Sequence, residues 1–225
     1  MRIAIDGPSG VGKSSLAKEI ALEFDLLYID TGAMYRLIAF YFFENNLDYE
    51  DQTLVYNNLS KINIELVFED KNKICFLLNG KNVMNYIRTQ EISKIASCLA
   101  KLKFVRHKLE AIQKSFVFNY SNLIMDGRDI ACNIMPNADL KFYFDADINI
   151  RVKRRMIDLG LDFNNKKKFD EIYNKMLERD KNDLERKISP LIKVKDAIFI
   201  DTSDLDFDQV KKKVFYIIKT KLIEV

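Results

Sequence analysis

The segment Gly7-Pro8-Ser9-Gly10-Val11-Gly12-Lys13-Ser14 restricts this chain more than any other stretch of it. It fits G-x-x-x-x-G-K-[ST], the backbone pattern that cradles phosphate groups. The apolar run Ile3-Ala4-Ile5 precedes it, and Leu16, Ala17, Ile20, Ala21 and Phe24 recur behind it with helical spacing. Strand, loop and helix in that order predict an α/β chain whose first strand is buried in a parallel sheet. The glycines let backbone N–H groups close on phosphate oxygens, and the helix adds the positive end of its dipole. Lys13 is predicted to reach the β- and γ-phosphates of a nucleoside triphosphate, and the Ser14 hydroxyl to hold Mg²⁺. The spacing is not G-x-G-x-x-G, which disfavours a dinucleotide-binding fold.

Further apolar runs end at carboxylates, as strands do at the ligand-binding edge of a parallel sheet. Leu26–Ile29 ends at Asp30, Leu123-Ile124-Met125 at Asp126, Lys141–Phe144 at Asp145 and Ala197–Ile200 at Asp201. Helices are predicted at 13–24, 34–43, about 54–59, 91–100, 104–118, 148–158 and 169–186, with a last one opened by Asp206 and Gln209 and ending near Lys221. Residues 62–83 break the pattern. Ile62, Ile64 and Leu66, the turn Glu69-Asp70-Lys71-Asn72, Ile74–Leu78 and the turn Asn79-Gly80 before Lys81-Asn82-Val83 read as a small antiparallel meander. Leu159–Lys168 is polar, holds Gly160 and ends in three lysines, which reads as a mobile loop.

A length of 225 residues with 48% hydrophobic and 31% charged residues fits a soluble globular protein of one large or two small domains with a real core. The net charge of +3 suits anionic small ligands, and no long basic tract points to nucleic acid. Cys75, Cys98 and Cys132 are widely spaced and read as reduced thiols, without a zinc-binding pair. The P-loop begins at Gly7, which leaves no room for a signal peptide, and no apolar run approaches a membrane span. The expectation is a cytoplasmic monomer.

The remaining chemistry lies in charge. Asp126, at a strand end, can help hold Mg²⁺. Arg151, Arg154 and Arg155 share one helical face, as do Arg179, Asp183 and Arg186. Taken alone, each is an ordinary salt-bridged surface. With Arg36 and Arg128 beside glycines at strand ends, they suit a site that neutralises two sets of phosphates, for which bidentate guanidinium groups are suited. The single histidine, His107, is read as a helix-surface residue, because phosphoryl transfer needs positioning and electrostatics rather than a nucleophilic triad.

The segments Gly7–Ser15, Asp30-Thr31-Gly32-Ala33-Met34-Tyr35-Arg36, Ile87-Arg88-Thr89-Gln90-Glu91, Asp126-Gly127-Arg128-Asp129 and Glu178-Arg179-Asp180 together resemble bacterial cytidylate kinase, in that family's order along essentially the whole chain. The resemblance implies a P-loop NTPase fold: a three-layer core with a parallel sheet (about 1–30, 122–150 and 187–225), a helical acceptor-binding part (about 31–121) carrying the small antiparallel insert 62–83, and a short zinc-free lid (about 155–168). It implies ATP held by Gly7, Pro8, Ser9, Gly10, Val11, Gly12, Lys13, Ser14, Ser15, Arg151 and Arg154, with Ser14 and Asp126 on Mg²⁺. Lys13, Arg128, Arg155 and Arg186 would be catalytic. CMP, and dCMP besides, would meet Arg36, Arg128 and Arg186 at the phosphate and Ser97, Arg106 and Asp129 at the base. Arg179 and Asp183 would hold the ribose, with Thr31 and Tyr35 nearby. Two other readings stay open at this point. One is a related P-loop kinase with UMP or another small metabolite as acceptor. The other is a nucleotide-dependent switch, disfavoured because no N-K-x-D guanine-reading motif occurs.

Overall fold

The computed structural model describes residues 1–70, 73–162 and 164–223. In chain order the elements are β1 (Arg2–Asp6), α1 (Lys13–Glu23), β2 (Leu27–Asp30), α2 (Thr31–Glu44), α3 (Gln52–Leu59), β3 (Ile64–Asp70) and β4 (Lys73–Leu78). Then come α4 (Gln90–Leu99), α5 (Lys103–Asn119), β5 (Leu123–Gly127), a π-helical turn (Ile130–Ile134), β6 (Leu140–Asp145), α6 (Ile148–Asp158), α7 (Lys166–Glu185), β7 (Ile198–Asp201) and α8 (Phe207–Ile223). Two compact units divide the chain: Met1–Phe24 with Ile124–Val225, and Asp25–Leu123.

In the first unit four strands lie side by side in the order β5-β1-β6-β7. The pairings of β1 with β6 and of β6 with β7 are parallel, with Ile5 opposite Phe142 and Phe144 opposite Ile200. These apolar residues are fully buried, together with Ile3 and Ala4, as the continuous hydrophobic runs require. Helix α1 lies against β1 and packs on α8. Its Phe24, at the C-cap, meets Phe215 edge to face. The capping box that opens α8 is reciprocal: Gln209 N–H donates to the Asp206 carboxylate, and Asp206 N–H to the Gln209 side chain. Helices α6 and α7 form a hairpin around their own apolar cluster of Val152, Met156, Ile172 and Met176.

In the second unit, Leu37, Ile38 and Phe42 of α2 are fully buried, and α2 packs on α4 and α5. Strands β3 and β4 pair antiparallel, and β4 contacts β2 and α2. Phe76 of β4 meets Phe116 of α5 with ring centroids 6.2 Å apart.

Four local readings from the sequence differ from the structure. Helix α2 starts at Thr31 instead of Met34, because the Asp30 side chain accepts from Ala33 N–H and caps it three residues earlier. The meander reduces to a hairpin followed by a single bridge between Leu78 and Lys81. Of its first turn, Lys71 and Asn72 lie outside the described residues. Lys166, Lys167 and Lys168 belong to α7, since the Asn165 side chain caps that helix through Lys168 N–H. Within the loop left between α6 and α7, Leu159 and Leu161 pack on the apolar cluster instead of standing in solvent, and Phe163 lies outside the described residues.

Candidate functional site

In the first unit the chemistry gathers where β1 and β5 end. Gly7 has φ +147°, and a Cβ placed on it would come within 2.1 Å of the Phe144 carbonyl oxygen, so only glycine fits between the sheet and the loop. Gly12, at φ +87° in the left-handed region, leads into α1 with no side chain capping the helix. The first-turn amides therefore remain available to an anion. Pro8 and Val11 are buried, Ser9 is half-buried, and Gly10 and Ser15 are exposed.

Lys13 is buried, and its Nζ donates to the Pro8 carbonyl at 2.5 Å. Burial first, and then the positive charges of Arg128 and Arg179, push its ammonium well below the usual lysine range, against the pull of Asp126 and Asp6. Ser14 Oγ donates to Asp126 Oδ2 at 2.6 Å, and Asp126 is itself buried. A hydroxyl and a carboxylate oxygen in contact make a hard-oxygen donor pair, which fits a divalent cation of the Mg²⁺ class.

In the same unit the structure joins Arg128, Asp183, Arg186 and Asp129 in one chain of contacts, and Arg179 acts on both Lys13 and Asp183 through its charge. Arg128 Nε donates to Asp183 Oδ2 at 2.9 Å, and Arg186 Nη1 to Asp183 Oδ1 at 3.1 Å. Arg186 Nη2 stands 3.6 Å from Asp129 Oδ1, and Arg186 Nε donates to the Ser189 carbonyl at 2.6 Å. Burial raises the Asp183 carboxyl, but Arg128, Arg179 and Arg186 outweigh it and hold it below the usual carboxylate range. Burial likewise opposes the charge on Arg128, and Asp183 more than restores it.

The three arginines of α6 are placed differently from one another. Arg151 is buried: its Nε donates to the Ala146 carbonyl, and its Nη1 to the Ser9 carbonyl at 3.2 Å and to Asp180 Oδ2 at 2.5 Å. Arg154 donates to the Thr202 hydroxyl and to the Thr202 and Leu205 carbonyls. Both guanidinium groups thus tie protein segments together: Arg151 braces the P-loop at Ser9, and Arg154 the turn after β7. Arg155 is half-buried in the last turn of α6.

In the second unit, Thr31, Tyr35 and Arg36 lie on α2, Ser97 on α4 and Arg106 on α5. Arg106 is 1% exposed, and its guanidinium carbon lies 5.7 Å from the Tyr35 ring centroid. Its Nε is 3.8 Å from Glu110 Oε1. Thr31 is buried, and Ser97 half-buried. Arg36 Nη2 approaches both Asp30 carboxylate oxygens, at 3.3 and 3.4 Å, and Arg88 Nη2 donates to Asp30 Oδ2 at 2.7 Å. Asp30 therefore caps α2 and steadies two arginines at once.

Sequence reasoning passed over Asp6, Asp30, Asp180 and Thr202 as supports of the site. Asp6 and Asp30 carried a signal, as carboxylates at strand ends. Asp180 entered only as part of the resemblance segment Glu178-Arg179-Asp180, with no partner assigned to it, and Thr202 carried no signal.

A protein-family model described as cytidylate kinase matches residues 3–220 of the chain. A protein of Carboxydothermus hydrogenoformans named cytidylate kinase is 38% identical over 221 residues, covering 98% of either chain. One of Mycoplasma genitalium with the same name is 39% identical over 212 residues, covering 94% of each. Among solved structures, a shikimate kinase from Bacteroides thetaiotaomicron superposes with a TM-score of 0.50 at 12% identity, covering 100% of this chain and 99% of that one. At that identity the likeness shows the fold alone.

Proposed function

Because the chain belongs to the cytidylate kinase family, we propose that the residues gathered in its two units divide the work of moving the terminal phosphoryl group of ATP onto CMP. The observation that carries this reading is the gathering of Arg128 and Arg186 on the two oxygens of Asp183, at 2.9 and 3.1 Å, in the unit that also carries the P-loop and Lys13. Cations held in such proximity are suited to phosphates from two substrates, whose negative charges would otherwise repel.

The enzyme phosphorylates CMP at the expense of ATP. The P-loop amides from Gly7 to Ser15 and Lys13 bind the triphosphate, with Arg151 holding the Ser9 carbonyl in place. Ser14 and Asp126 hold Mg²⁺, which supplies neutralisation of the triphosphate charge. Arg36, Arg128 and Arg186 bind the acceptor phosphate. That phosphate carries its negative oxygens already, so no general base is required. Arg155 and Lys13 stabilise charge on the transferring group. Arg179 and Asp183 meet the ribose, with Thr31 and Tyr35 nearby. Asp129 and Ser97 accept from the cytosine amino group, while Arg106 donates to N3 or O2. Uracil reverses the hydrogen-bond sense at two ring positions and would set acceptor against acceptor. The segment 155–168 serves as the lid. The same site takes dCMP, and the reading is of a monomeric cytoplasmic enzyme acting on free nucleotides without zinc or nucleic acid. Among the described residues no helix is long and apolar enough to cross a membrane.

Turnover of CMP, dCMP, UMP and AMP with Mg²⁺ and ATP, followed by coupled ADP release, tests this. A site that pairs a substrate's polar groups rejects a mismatched analogue by up to about 10⁴-fold. CMP is expected to exceed UMP and AMP by at least about 100-fold in kcat/KM. Equal turnover of UMP or AMP would remove the assigned base-reading roles.

A further inference from the structure

Asp6 is the last residue of β1, directly before the P-loop, and its side chain is 1% exposed. Its position leaves little freedom, because Gly7 beside it is wedged against the Phe144 carbonyl. Its carboxylate accepts from two consecutive backbone amides: Ile130 N–H to Oδ1 at 2.9 Å and Ala131 N–H to Oδ2 at 2.7 Å. These amides open the π-helical turn Ile130–Ile134, and the two residues just before them are Arg128 and Asp129. Asp129, with φ −141° and ψ 23°, forms the turn's N-cap. One side chain thus links the donor loop, through Gly7, to the residues assigned to the acceptor.

We propose that Asp6 is a positioning residue for the acceptor: its bidentate grip on Ile130 and Ala131 sets Arg128 and Asp129 at the place and angle that CMP requires relative to the P-loop. This rests on the reading of Arg128 and Asp129 given above. The energetics agree with such a role. Burial outweighs both N–H bonds and pushes the Asp6 carboxyl up to about 6. No neutral residue of its size reproduces the grip. Asparagine offers a single acceptor and would turn an NH₂ group toward one of the two amide N–H groups. The charged and titratable groups acting on Asp6, or acted on by it, are Lys13 from the P-loop, Asp129 and Cys132 from the turn, and Tyr143 from β6.

The test has a kinetic and a spectroscopic arm. In Asp6→Asn, KM for CMP is expected to rise about tenfold or more while KM for ATP stays within about twofold. Asp6→Glu keeps the charge but moves it by one methylene, and is expected to show the same acceptor-selective loss. A rise of both KM values together in the two variants, or of neither, overturns the inference. The second arm uses the wild-type protein without nucleotide. The amide proton resonances of Ile130 and Ala131 are expected to shift together as pH is lowered from 8 to 5, with one midpoint near 6. Two amides that stay still, or titrate apart, overturn it as well. Wild-type turnover of CMP tests the proposed function separately, and the resonance shifts do not depend on its outcome.

Discussion

Removing the Asp180 carboxylate should unmask the cost of keeping Arg151 inside the protein. The two side chains are 11% and 8% exposed and meet at 2.5 Å. Asp180→Ala leaves the Arg151 guanidinium with the Ala146 and Ser9 carbonyls and removes the carboxylate in direct contact with it. An uncompensated buried charge of this kind costs about 3–5 kcal/mol. The internal control is Lys168–Glu171, an ion pair at 2.9 Å whose side chains are 47% and 39% exposed. There solvent already screens the charges, and Glu171→Ala is expected to leave the urea midpoint almost unchanged. A second variant separates stability from function. Replacing the pair together, as Arg151→Met with Asp180→Leu, exchanges a buried ion pair for apolar packing, an exchange that is often neutral or stabilising. The midpoint is then expected to return to near the wild-type value. KM for ATP is expected to rise above the wild-type value in this double variant, because the Ser9 carbonyl has lost its donor. Urea unfolding followed by circular dichroism, with steady-state kinetics beside it, reads both quantities. If Asp180→Ala costs no more than Glu171→Ala, or if the double variant keeps the wild-type KM for ATP, the bracing role assigned to Arg151 is wrong.

Two further outcomes follow from the same geometry. Lys13→Ala should reduce turnover far beyond tenfold, which is only about 1.4 kcal/mol of barrier, while the far-ultraviolet circular dichroism stays unchanged; retention of more than a tenth of the activity would contradict the P-loop role. Asp6 should also be visible in the pH dependence of stability. Its folded pKa of about 6 lies above the ordinary 3.8, so the folded state binds this proton more tightly than the unfolded state does. Its contribution is most favourable below about pH 4 and is lost as pH rises through 6, a difference of roughly 3 kcal/mol. Unfolding of wild type and Asp6→Asn at several pH values should show a difference concentrated between pH 4 and 6. Parallel curves across that window would count against the buried, charged carboxylate.

The parts of this fold that depend on near neighbours were readable from the chain alone. The P-loop, the carboxylates at or next to strand ends (Asp6, Asp30, Asp126, Asp145 and Asp201) and the reciprocal cap of Asp206 and Gln209 all rest on spacings of a few residues. The one-face spacing of Arg151, Arg154 and Arg155 was visible too, but not what they hold. Arg151 finds Asp180 and Ser9, and Arg154 finds Thr202, across long sequence separations that periodicity cannot encode. The π-helical turn had no local signature either, since its first two amides are held by a carboxylate 124 and 125 residues away. The lysine run 166–168 was misread because charge was taken as a sign of loop, whereas Asn165 supplies the cap that lets a helix start there. The base-reading roles proposed for Ser97 and Arg106 rest on family resemblance, as nothing in their own surroundings in the sequence distinguishes them.

The small apolar cluster inside the α6–α7 hairpin also determines how a protease meets this part of the chain. Gly160, at φ +64°, marks a turn that looks open to cleavage. Yet Leu159 and Leu161 on either side of it are packed on Val152, Met156, Ile172 and Met176. An extended substrate strand can enter a protease cleft only after these leucines are pulled out, so nicking here reports the opening of the whole hairpin and not the wandering of a loop. Arg151 anchors the hairpin to the Ser9 carbonyl, which makes phosphate-loop order part of that same opening equilibrium. A nucleotide that steadies the P-loop would then slow digestion between the helices without touching the cleaved bond.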